Sequence, residues 1–138
     1  MQKEFILELK EIDIITQSLK ETISNEDCIV ILRGDLASGK TTLVKNYVKS
    51  LGMDDLVTSP TFSIQSIYSE NIFHYDVYNK SLEEFIALGM LEEFEKGGIH
   101  FVEWGDEKLQ NLLLEYGYNV ILVKITKRDN KRQYNIES

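Results

Sequence analysis

Several things are scarce in this sequence, and each scarcity excludes something. There is one cysteine, one proline and a pair of histidines in 138 residues. A lone Cys28 rules out an internal disulfide and a thiolate zinc site. It lies in an apolar run and reads as a small buried hydrophobe. His74 and His100 alone are too few to hold zinc. No apolar run is longer than Cys28 to Leu32, whereas a membrane span needs about 20 such residues. The first ten residues are charged and carry no apolar signal segment, so the expectation is a cytoplasmic protein with no membrane partner. Cations are outnumbered, 15 Lys+Arg against 23 Asp+Glu, for a net charge of −8. That field repels phosphate backbones at long range, so neither DNA nor any free-standing nucleic-acid complex is expected. Arginine is rarer still: Arg33, Arg128 and Arg132.

What remains is an ordinary globular balance, 43% hydrophobic and 28% charged, without repeats or low-complexity tracts. The length suits one domain over residues 1–138. Phe5, Leu7 and Leu9 alternate as in a short strand. Ile12, Ile15, Leu19 and Ile23 recur at helical spacing. The β-branched run Cys28 to Leu32 reads as a strand buried on both faces, as in a parallel sheet. A second helical stripe runs from Lys40 through Val44, Tyr47, Val48 and Leu51, with Gly52 as its stop. Residues 53–60 form a linker. Thr61–Tyr68 and Asn71–Tyr78 read as a hairpin, and Ser81–Phe94 as helical with a break at Gly89. Ile99–Trp104 is a strand, Asp106 caps a helix carrying Leu109, Leu112, Leu113 and Tyr116, and a hairpin across Asp129-Asn130 closes the chain. The expected class is α/β: a central, mostly parallel sheet flanked by helices, with antiparallel hairpin additions.

The strongest chemical signal is Gly34-Asp35-Leu36-Ala37-Ser38-Gly39-Lys40-Thr41. It matches G-x-x-x-x-G-K-[ST] in the required context, after a buried strand and before a helix. Glycines let the backbone curl so that successive N–H groups face phosphate oxygens. The helix adds its positive N-terminal end. Lys40 supplies a charge for the β- and γ-phosphates, and the Thr41 hydroxyl is placed to ligate Mg2+. The expected fold is therefore that of a P-loop NTPase.

Such a site also needs an acid at the end of a buried strand. Glu103, after Ile99, Phe101 and Val102, is the candidate; an exposed strand-end carboxylate is the plain alternative. Asp76, among His74, Tyr75 and Tyr78, is a second acid for a metal or a water, with His74 able to orient it. Ser59-Pro60-Thr61 lies where GTPases place the threonine that senses the γ-phosphate. Thr126-Lys127-Arg128-Asp129 imitates a guanine-reading motif, but no D-x-x-G segment accompanies it. It reads as a solvated basic edge or a partner contact. Trp104 reads as core more readily than as a base-stacking platform. No arginine lies between the loop and residue 127, which argues against a small-molecule kinase with an arginine-rich lid. It also leaves no arginine finger evident near the loop. A nucleotide-gated module without catalysis remains the alternative to an ATPase.

Gly34–Thr42, Ser59-Pro-Thr-Phe62, His74-Tyr-Asp-Val-Tyr78, Leu88-Gly-Met-Leu-Glu92 and Val102-Glu-Trp104 occur in this order. Together they resemble the TsaE family, small bacterial P-loop ATPases of tRNA threonylcarbamoyladenosine biosynthesis, over about residues 5 to 125. The resemblance implies slow ATP hydrolysis and a complex with TsaD and TsaB, with tRNA engaged only indirectly. It implies that Lys40 and Thr41 hold phosphate and Mg2+, and that Thr42 closes the loop on the α- and β-phosphates. It implies that Glu103 is the metal-linked acid, Asp76 a catalytic or metal-positioning acid, and Thr61 the switch threonine. The sequence departs from the family at Asn79, where arginine is usual, and at Ala37-Ser38, where Gly-Ala is frequent.

Overall fold

The computed structural model describes residues 2–24, 27–35, 37–55, 57, 65–69 and 71–138. Seven strands and five α-helices are laid out as β1 (Gln2–Leu7), α1 (Ile12–Ile23), β2 (Cys28–Arg33), α2 (Lys40–Ser50), β3 (Gln65–Tyr68), β4 (Ile72–Asp76), α3 (Leu82–Ala87), α4 (Met90–Glu93), β5 (Ile99–Glu103), α5 (Glu107–Glu115), β6 (Val120–Arg128) and β7 (Lys131–Glu137). The strands form one sheet in the order β1-β7-β6-β2-β5-β4-β3. The four strands β6, β2, β5 and β4 run parallel. Antiparallel pairs extend both sides, β3 on β4 and β7 and β1 beyond β6. The expected parallel centre with hairpin additions is what forms.

Alternation along the strands divides the core in two. Val30, Leu32, Phe101, Ile72 and Val123 face Ile15, Leu19, Leu43 and Val44 of α1 and α2. Ile29, Ile31, Val102, Phe73 and Tyr75 face Phe85, Leu109 and Leu113 of α3 and α5. Each fully buried aliphatic side chain contributes about 1.5–3 kcal/mol of transfer free energy, so β2, apolar on both faces, is the spine of both layers.

Three expected boundaries move. Leu9 is not in β1: the Glu11 carboxylate accepts the Glu8 N–H at 2.9 Å and starts a one-turn 3-10 helix, Leu9–Glu11, leaving Leu9 70% exposed. β4 stops at Asp76, because Asp76 Oδ1 accepts the Tyr78 N–H at 2.9 Å and turns the chain. β5 stops at Glu103, where Trp104 adopts φ 71°. Leu51 and Tyr116 are exposed and lie off the core stripes of their helices. The helical break at Gly89 is observed between α3 and α4. Residues 61–64 of the expected strand lie outside the described residues.

At the opposite end of the sheet from the loop, Gly98 has φ +122°, and a Cβ there would lie 2.1 Å from the Asn71 carbonyl oxygen. Its carbonyl accepts the Cys28 N–H and its own N–H donates to Asp27, so the backbone cannot move aside freely. Gly98→Ala is expected to lower unfolding free energy by about 2 kcal/mol or more, read by urea denaturation. Wild-type stability would contradict the geometry.

His100 is buried between the layers, stacked on Phe73 at 4.3 Å. Its Nε2–H donates to the Lys96 carbonyl and its Nδ1 accepts the Tyr75 hydroxyl. Burial holds it below the ordinary histidine value of 6.5, against the hydrogen bond to Lys96 and the charges of Asp27 and Glu93. Above that value the folded and unfolded states are both neutral and stability is complete. As pH falls below it, the unfolded chain takes up a proton that the folded chain resists, and stability declines. The melting temperature should drop between pH 7 and 5.5, and less steeply in His100→Gln. Equal slopes in the two proteins would remove His100 as the cause.

Candidate functional site

β2 ends at Arg33 and α2 begins at Lys40. Gly34 is required by close approach: a Cβ there would lie 2.6 Å from both the Ile125 carbonyl oxygen and Ser38 Oγ. Ala37 holds φ 59°, in the left-handed region that favours glycine, which costs a non-glycine residue roughly 1–2 kcal/mol. The departure from the family pattern at Ala37 thus carries a defined local strain. Asn79, the other departure from the family pattern, also has positive φ, a conformation asparagine tolerates.

Lys40 opens α2 with only 5% of its surface exposed. Its ammonium donates to the carbonyls of Gly34 at 2.7 Å and Asp35 at 3.0 Å. It sits 3.8 Å from the centre of the Trp104 ring, so Trp104 is a wall of the site and not plain core. Among the described residues no carboxylate forms an ion pair with Lys40. Burial pulls its pKa below the usual lysine range, while Glu103, Asp76 and Asp35 act in the opposite direction and Lys127 adds to the lowering. A partly desolvated cation held by neutral groups is suited to receive an anion.

The acids arrive from the neighbouring strands. Asp76 and Glu103 are register partners at the carboxyl ends of β4 and β5. Glu103 is buried, not exposed, and its Oε2 accepts the Thr41 hydroxyl at 2.8 Å. His74, expected to orient Asp76, instead places Nε2 2.5 Å from the same Glu103 oxygen. Asp76 is partly exposed and holds the Tyr78 turn.

Ala37, Ser38, Gly39, Lys40, Thr41, Thr42, Asp76 and Glu103 line one cavity of about 740 Å³, within the size range of small-molecule sites. Gly34 and Asp35 contribute the carbonyls that hold Lys40. Leu36 and Thr61 lie outside the described residues. Leu9, Tyr78, Asp129, Asn130, Arg132 and Tyr134 complete the walls, and sequence reasoning assigned none of them to the site. The sequence leaves no arginine finger evident near the loop; the structure brings Arg132 beside it, where Nε donates to the Ser38 carbonyl at 3.0 Å. The available signal was the density of cations in the last hairpin.

A glycine-curled loop between a buried parallel strand and a helix, with an acid on the adjacent strand, defines a P-loop NTPase fold. The crystal structure of YdiB from Bacillus subtilis shows the same fold, with a TM-score of 0.70 at 24% identity, covering 99% of this chain and 84% of that one. The family model of the threonylcarbamoyl adenosine biosynthesis protein TsaE matches residues 7–134. The tRNA threonylcarbamoyladenosine biosynthesis protein TsaE of Treponema pallidum is 38% identical over 100 residues, 70% of this chain and 73% of that protein. Its Bacillus subtilis counterpart is 39% identical over 79 residues, 55% of this chain and 49% of that protein. This chain therefore matches about half the length of the Bacillus relative. It belongs to the TsaE family.

An anion entering the loop must draw the Lys40 ammonium off its carbonyls and away from Trp104. Trp104 is the sequence's one tryptophan, so its emission should change when inorganic pyrophosphate binds, and Lys40→Met should abolish the change. Unaltered emission at pyrophosphate concentrations that calorimetry shows to be saturating would contradict this arrangement.

Proposed function

We propose that this chain binds ATP·Mg2+ across Gly34 to Thr42 and hydrolyses it slowly, as a nucleotide-driven accessory to a TsaD–TsaB pair in threonylcarbamoyl modification of tRNA. The observation that carries the reading is the desolvated Lys40, held among the described residues by neutral partners at the mouth of the loop. The donor set fits magnesium: the Thr41 hydroxyl and the Glu103 carboxylate are hard oxygen ligands facing one another. Among the described residues no group of three or more His, Cys, Asp or Glu could cage a metal. That agrees with a cation which keeps waters and takes phosphate oxygens as ligands. When bound, Mg2+ would neutralise charge on the β- and γ-phosphates.

The protein's own groups then divide the work. Lys40 turns from carbonyls to phosphate. The Thr41 hydroxyl would turn from Glu103 toward the cation, and Glu103 would hold it directly or through water. Asp76, more exposed and one strand further out, is the acid we assign to the attacking water. Thr61 is assigned the γ-phosphate sensor by family resemblance. Arg132 donates to the Ser38 and Lys131 carbonyls and braces the loop; in this reading the chain supplies no arginine finger of its own. Such a finger is worth about 10³–10⁵ in rate, so low basal turnover and stimulation by a partner follow. With a net charge of −8, contact with tRNA is through the partners.

The test is ATP turnover with and without the partner pair. Lys40→Ala should lose stimulated turnover by on the order of 10²-fold. Asp76→Ala should keep nucleotide binding and lose about 10²–10⁴-fold in turnover. Full stimulated activity in Lys40→Ala would sink the assignment, and unchanged turnover in Asp76→Ala would leave a binding module without this chemistry.

A further inference from the structure

A chain of buried polar groups runs inward from Glu103, and the mechanism above uses only its outer end. The Tyr68 hydroxyl lies 2.8 Å from His74 Nδ1, His74 Nε2 lies 2.5 Å from Glu103 Oε2, and Thr41 Oγ1 donates to that same oxygen at 2.8 Å. Tyr68, His74 and Glu103 are each 5% exposed or less. They come from three adjacent strands, β3, β4 and β5, on the face packed against α2. A carboxylate can only accept, so His74 Nε2 carries the proton. In the neutral ring this leaves Nδ1 as the acceptor for the tyrosine hydroxyl. Without that hydroxyl the ring is free to carry its proton on Nδ1, which would point a lone pair at a carboxylate.

We propose that Tyr68 and His74 are positioning residues that hold the Glu103 carboxylate in its metal-binding orientation, with Tyr68 fixing the histidine tautomer. This rests on the nucleotide–magnesium reading. Its physical need is clear from the double acceptance at Oε2. When Thr41 turns to a cation, Glu103 loses one of its two donors. His74 then remains to keep a buried carboxylate aimed, where an unpartnered one would swing or draw in water. The arrangement follows the general rule that groups behind a metal ligand orient it and tune affinity. Neither side chain lines the cavity, so both act through Glu103 and neither is a catalytic residue.

The experiment measures Mn2+ binding by electron paramagnetic resonance in the ADP complex of the full chain, and metal-free ADP binding by calorimetry. Wild type, Tyr68→Phe, His74→Leu and His74→Gln are compared. Tyr68→Phe removes one oxygen and keeps the ring in the core. It should weaken Mn2+ binding by about three- to tenfold, the range of one hydrogen bond, with metal-free ADP affinity unchanged. His74→Leu should weaken it more. His74→Gln, whose amide can still donate to Glu103, should recover part of the loss. In steady state the half-saturating Mg2+ concentration should rise more than kcat falls. Wild-type Mn2+ affinity in folded Tyr68→Phe and His74→Gln would overturn the proposal, even where His74→Leu fails to fold. So would an equal loss of metal-free ADP affinity, which marks a general structural effect. If the wild type binds neither ADP nor ADP·Mn2+, the nucleotide reading itself fails and takes this proposal with it.

Discussion

Glu103 Oε2 is the point where distant parts of the chain meet. Thr41, at the start of α2, donates to it across 62 positions of sequence, and His74 meets it from β4 across 29. Burying a carboxylate is costly unless it is hydrogen-bonded, so this oxygen demands both partners and thereby sets the spacing of loop, β4 and β5. The parallel register that pairs Asp76 with Glu103 then delivers the second carboxylate beside the first. The site lies at the carboxyl ends of parallel strands, the usual place for ligands in open α/β sheets. The strand ends are fixed by local devices, an aspartate turn at Asp76 and a left-handed Trp104, which stop each strand as its acid reaches the loop.

The loop was legible because it is local. Two glycines, a lysine and a threonine at fixed spacing, between an apolar run and a helical stripe, mark a P-loop within eight residues. The parallel centre was legible from β2, whose unbroken apolar run needs cover on both faces. Strand order and register were not, because they depend on contacts far apart in sequence. His74 shows the consequence. Two residues from Asp76 on the same face, it looks like that residue's partner until β5 is known to lie alongside and to offer Glu103 instead. Arg132 is the same lesson at 94 positions of separation from Ser38. The antiparallel β6–β7 pair returns its side chain to the loop, and no spacing in the sequence announces that. Leu9 failed for another reason: an alternation three residues long is outweighed by one side-chain hydrogen bond that starts a helical turn.

The acid balance of the chain and the proposed polyanionic ligand look opposed, and the structure shows how the opposition is confined. The last hairpin gathers Lys124, Lys127, Arg128, Lys131 and Arg132. Lys127 and Arg132 are cross-strand partners, and Lys127 is close enough to lower the pKa of Lys40. Cations of the hairpin therefore stand beside Lys40 and the loop. The long-range field scales with net charge and is screened by salt within about 10 Å, whereas the cradle acts at contact distance with N–H dipoles, Lys40 and the helix N-terminus. A charged ligand already inside that distance responds to the local set, and a nucleic acid approaching from outside responds to the net charge.

The state of Lys40 decides how readily an anion can enter. Its ammonium is held by two carbonyls and an aromatic face, which keep it ordered without neutralising it. Had Glu103 or Asp76 formed an ion pair with it, a phosphate would have to break a charge-assisted bond and leave a carboxylate facing its own negative charge. In the structure Glu103 instead meets Thr41 and His74 through Oε2, and among the described residues no ion pair joins either carboxylate to Lys40. The contacts that must be given up are then to neutral groups, and the bond to be formed is between full charges, roughly twice as strong as one between neutral partners.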